Sequence, residues 1–113
     1  MGLRLTFSTP NGLSGNHWSI SEVWINAKEL KSYVIINLFK DKATKDAGNP
    51  PLPIYKRHIW EGADFPFDED ALKVAGASDR TISYAKIKST PMPQDENGND
   101  IGDIDWTQAT DED

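Results

Sequence analysis

Between His17 and Lys40 the chain carries two β-rich runs separated only by Ala27 to Glu29, and a gap that short joins strands only as an antiparallel hairpin. The first run, His17 to Asn26, changes its apolar face part-way, since Trp18 and Ile20 share one parity while Val23 and Ile25 share the other. A regular strand buries a single parity. A bulge near Ser21 and Glu22, or burial of both faces, is therefore required, and Trp24 then points opposite to Val23. The second run, Leu30 to Lys40, is rich in β-branched and aromatic residues and apolar on both parities after Tyr33, which marks it as the central strand.

The flanking segments supply the rest of a sheet. Leu3, Leu5 and Phe7 alternate with Arg4, Thr6 and Ser8 ahead of the turn signal Pro10-Asn11-Gly12. Asp41 to Ala47 suits one helical turn closed by Gly48, after which Asn49-Pro50-Pro51-Leu52-Pro53 enforces an extended path. Ile54 to Trp60 alternates again and reads as a fourth strand. Phe65-Pro66-Phe67 forms an aromatic anchor, and Asp68 caps a short helix that Gly76 stops. Ser78 or Asp79 caps a second helix reaching Ser89 before Thr90-Pro91. The expected fold is α+β and β-dominated: a small antiparallel sheet, as a sandwich or partial barrel, with two short C-terminal helices and an extended acidic arm.

Charge divides the chain at the same place. Residues 91–113 hold eight of the 18 acidic side chains and none of the 12 Lys and Arg, so the arm stands at −8 and residues 1–90 at +2. A segment so acidic and poor in apolar residues gains a fixed shape only when something holds it. The holder is its own body or, more naturally, a neighbouring subunit. Residues 1–90 are thus expected as one compact domain and 91–113 as an arm, with Ile101, Ile104 and Trp106 as apolar anchors flanked by Asp103 and Asp105. On this expectation, Trp106→Ala or truncation after Pro91 leaves the body folded and weakens only its attachment. The opening residues lack a charged head followed by a long apolar run, which argues against a secretory signal. The longest apolar stretch, Tyr33 to Phe39, is interrupted by Asn37 and falls far short of the roughly twenty residues of a membrane span.

Catalytic chemistry finds little support. Cysteine is absent, which removes disulfides, thiolate nucleophiles and cysteine-based zinc sites. The two histidines, His17 and His58, lie on different strands; a site formed with Asp41 or Asp64 is weighed against ordinary hydrogen-bonded strand positions, which are favoured. Gly12-Leu13-Ser14-Gly15 lacks the Lys and following helix of a phosphate loop. Glu61, Asp64 and Asp68 to Asp70 are explained by capping. Asp95, Asn97 and Asn99 alternate like calcium ligands, but Asp100 stands where the calcium loop wants Gly and Trp106 where it wants Glu, leaving only a looser site around Asp100, Asp103 and Asp105. No catalytic, cofactor or metal residue is assigned.

The string Tyr84-Ala85-Lys86-Ile87-Lys88-Ser89-Thr90-Pro91, the Gly48-Asn49-Pro50-Pro51-Leu52 loop and the opening Thr9-Pro10-Asn11-Gly12-Leu13 resemble, in that order-preserving arrangement over roughly residues 3–91, small structural proteins of tailed bacteriophages encoded among tail and tail-fibre genes. His17-Trp18 departs from the aromatic-His-Arg element of that pattern, and the acidic extension has no counterpart in it. The resemblance implies no catalytic residue. It implies a virion component of the tail, baseplate or fibre-attachment region, assembled in the host cytoplasm, adhering to other virion proteins or to copies of itself; a capsid decoration role differs only in partner. The alternative is a protein for single-stranded nucleic acid, with Lys31, Tyr33, Tyr55, Lys56, Arg57 and Trp60 as the binding surface and the acidic arm as its cover. A barely basic body disfavours nucleic acid as partner.

Overall fold

The computed structural model describes residues 2–74, 76–93, 96–99 and 102–112. Five antiparallel strands form one sheet: β1 (Gly2–Ser8), β2 (Ser14–Asn26), β3 (Lys31–Phe39), β4 (Tyr55–Glu61) and β5 (Thr110–Glu112), in the order β4-β3-β2-β1-β5. The first four follow one another as hairpins, and the last returns to pair with β1, placing Gly2 opposite Glu112 and Arg4 opposite Thr110. Among the described residues three α-helices accompany the sheet: α1 (Lys42–Asp46), α2 (Glu69–Leu72) and α3 (Asp79–Lys88).

The bulge implied by the parity change is present. Ile20 pairs with Ile36 and Glu22 with Ile35, so Ser21 has no partner of its own. Either side of it, Trp18, Ile20 and Val23 point to one face, together with Leu3, Val34, Ile36, Leu38, His58 and Trp60. This is the covered face. Its Leu3, Trp18, Val34, Ile36 and Leu38 are fully buried, each contributing roughly 1.5 to 3 kcal/mol by removal from water.

Three segments cover it. Phe65 and Phe67 run as a T-shaped pair, with Phe67 tilted against Trp60. Ser78 and Thr81 form a capping box that starts α3, whose Ser83, Tyr84 and Ile87 are buried. Its placement is fixed where β1 runs out beside β2: the Ile20 amide donates to the Tyr84 hydroxyl at 2.9 Å, and Arg80 Nη1 donates to the Ile20 carbonyl at 2.7 Å. These bonds replace ladder partners that β2 lacks there.

The third cover is the C-terminal segment, and here several expectations need correction. The segment is not a separate arm. Ile104 and Trp106 are buried in the chain's own core, Trp106 opens a short 3-10 turn capped by Asp105, and Thr110–Glu112 adds a fifth strand to a sheet expected to have four. Asp103 pairs with Lys56, and Asp111 with Lys88 at 2.8 Å. These apolar and ion-paired attachments, with the pairing of the last strand, supply the holding that composition alone demanded, without a neighbour. Ile101, Asp95 and Asp100 lie outside the described residues. The middle of the sheet is β2 rather than β3, and the helix after Asp68 is a single turn that ends at Leu72.

Candidate functional site: an open aromatic face

Among the described residues no element covers the opposite face over most of its area. Residue pairs across β2, β3 and β4 set it out in rows: Asn26, Lys31 and Glu61; then Trp24, Tyr33 and Ile59; then Glu22, Ile35 and Arg57; then Ser19, Asn37 and Tyr55. Trp24 is 43%, Ile59 58% and Tyr55 63% exposed. The bulge at Ser21 is what turns Trp24 and Glu22 outward, since regular alternation from Ile20 would have sent both into the core.

The centre of this face is a stack. Trp24 lies on Tyr33 with ring centroids 5.5 Å apart and planes 18° from parallel, and the Arg57 guanidinium lies 5.4 Å from the Tyr33 centroid. Trp24 arrives from β2 and Arg57 from β4, on either side of β3. The Tyr33 hydroxyl donates to Glu22 Oε1 at 3.0 Å, and this bond to a carboxylate holds its phenol above the usual range. Four side chains from three strands thus fix one another's rotamers.

At the far end the face closes. His17 is buried beside Phe39, and its Nδ1 lies 2.6 Å from Glu112 Oε1. A carboxylate only accepts, so Nδ1 carries the proton. Gly2 lies over the ring so closely that a Cβ there would stand 2.5 Å from His17 Cε1.

The residues anticipated for nucleic acid divide between the two faces. Lys31, Tyr33, Tyr55 and Arg57 share the open one. Lys56 and Trp60 do not: Lys56 lies over the Phe7 ring and pairs with Asp103, and Trp60 is buried. Of the acidic segment expected as a cover, Ile104 and Trp106 pack on the other side of the sheet, and Glu112 meets the open face only at its far end, beside His17. Trp24, Ile35 and Ile59 were missed as surface residues, although the outward direction of Trp24 was already implied by the parity change.

The histidines are separated as well. His17 points to the open face and His58 to the covered one, where Asp64 shares its cleft with Lys86 and Thr90, so His17, His58 and Asp64 form no common site. His58 sits 5.1 Å from the Trp106 ring and 6.0 Å from that of Trp60, and burial lowers its pKa to about 4. Among the described residues no three His, Asp or Glu side chains cluster as a metal site, and no helix is long and apolar enough to cross a membrane. Comparison with protein-family models, curated proteins and solved structures gives no match.

Proposed function

We propose that this chain is a non-catalytic assembly component that works by adhesion through its open sheet face, as a small virion protein of a phage tail, baseplate or fibre-attachment region would. The observation that carries the proposal is the Trp24–Tyr33–Arg57 stack. Trp, Tyr and Arg are the residues that most often dominate protein–protein binding energy. Their mutual stacking and the Tyr33–Glu22 bond hold them in place before any partner arrives, which lowers the entropy cost of docking.

The same geometry weakens the nucleic-acid alternative. Tyr33 is already stacked on Trp24 and approached by Arg57, so less of its ring is left for a base, and Lys56 and Trp60 face away. A capsid decoration role would use the same face on a different partner.

The test is the copy number of the chain in particles purified from the phage that encodes it, for wild type, Trp24→Ala and Arg57→Ala. Wild type is expected in the particles and each variant is expected at least about tenfold depleted, with an unchanged circular dichroism spectrum. Absence of the wild-type chain from particles, or variants at wild-type level, overturns the proposal.

A further inference from the structure

Building on the adhesion reading, we infer that the open face takes a second copy of this chain, packed sheet on sheet about a two-fold axis that runs along β3.

The molecule is flat, with one broad side of its sheet open. It measures 42 × 41 × 20 Å, with a radius of gyration of 14.8 Å where a compact chain of this length has about 13 Å. Its accessible surface is 7046 Å², whereas a monomer of its mass exposes about 6,200 Å².

The two middle rows of the face are self-complementary. Rotation about an axis lying along β3 between two sheets exchanges the β2 and β4 sides of every row. Glu22, on the β2 side of Ile35, then stands opposite the partner's Arg57, on the β4 side, and the reverse contact forms at the same time. In the adjoining row Trp24 meets the partner's Ile59, the bulky side chain of one flank against the aliphatic one of the other. Tyr33 and Ile35 lie near the axis. Sheets packed face to face stand about 10 Å apart with strands within about 30° of each other, a spacing that side chains of this size fill.

Charge exchange gives the test. Purified full-length chain is examined by sedimentation equilibrium as wild type, as Arg57→Glu, as Glu22→Arg, and as an equimolar mixture of the two variants. Wild type is expected at twice its 12.6 kDa mass. Each variant alone places like charges together at both symmetry-related contacts and is expected to dissociate at least about thirtyfold more readily. In the mixture both contacts are again between opposite charges, so a heterodimer is expected to form. That recovery does not follow from a merely structural effect of either substitution. A monomeric wild type, or a mixture that stays monomeric, overturns the inference. A monomeric wild type whose Trp24→Ala variant is depleted from particles would reject the second copy and leave the adhesion reading standing. A charge-dependent dimer that never enters particles would do the opposite.

Discussion

Trp106 meets Trp18 edge-on, with ring centroids 4.9 Å apart and planes inclined at 68°, across 88 residues of sequence. This contact ties the C-terminal segment to the middle strand of the sheet, and Trp106 reaches His58 on the same face. Trp106→Ala is therefore expected to destabilise the whole fold by about 3 to 5 kcal/mol in urea titrations. Trp24→Ala, which loses a surface stack, should cost no more than about 1.5 kcal/mol. Equal costs for the two would contradict the division into covered and open faces. Truncation after Pro91 should not leave a folded body, since it removes Trp106 and β5 together.

His58 makes stability depend on pH. Burial between Trp60 and Trp106 lowers its pKa from 6.5 to about 4, so the unfolded chain binds a proton that the folded chain refuses. Its contribution is full above pH 6.5 and is lost as pH falls toward 4. The loss amounts to about 2 to 3 kcal/mol. The difference in urea midpoint between neutral and mildly acidic buffer should shrink in His58→Phe; an undiminished difference would assign the pH dependence elsewhere.

The His17–Glu112 bond closes the other edge. Glu112→Ala leaves the buried Nδ1–H of His17 without its acceptor and should cost about 1 to 3 kcal/mol. The cost should be local, so amide exchange is expected to accelerate first in Thr110–Glu112 and in the β1 residues paired to it. Uniform acceleration across all strands would show that β5 is not a separable latch.

Leu30 adopts φ 53° in the turn between β2 and β3, the left-handed region that disfavours side chains, and its own is 47% exposed. Leu30→Gly should raise stability by about 0.5 to 1 kcal/mol, measured from thermal midpoints. The Leu30 carbonyl would keep the bond it accepts from the Gly62 amide. A loss of stability would mean that the Leu side chain contributes more packing than its exposure suggests.

Gly15 carries a different constraint. A Cβ there would stand 2.4 Å from the Phe39 carbonyl oxygen and 2.9 Å from Leu38 Cγ, so Gly15→Ala should lower the unfolding midpoint more than alanine at exposed Gly12, which has no neighbour within 4 Å. Comparable effects at both positions would show that backbone strain at Gly12, not crowding at Gly15, sets the cost.

Local signals carried a good part of this fold. The parity change between Ile20 and Val23 located the bulge and sent Trp24 outward, and Asp41, Asp68 and Ser78 announced the helix starts that their side chains cap. Alternation and capping act within a few residues, so the sequence of a single strand or turn contains them whole. The fate of Ile104, Trp106 and Thr110–Glu112 was decided at long range. Their neighbours are Trp18, His58 and β1, brought close only after the sheet has formed, and an acidic segment read alone gives no sign that a core is waiting for it. The same holds for the open face. Each of Glu22, Trp24, Tyr33, Arg57 and Ile59 is ordinary in its own strand, and they become a patch only because register sets five side chains from three strands side by side. Residue types thus determined which segments are strands and which way their side chains alternate; pairing across the sheet, a property of distant residues, chose which face the rest of the chain would cover and which it would leave free.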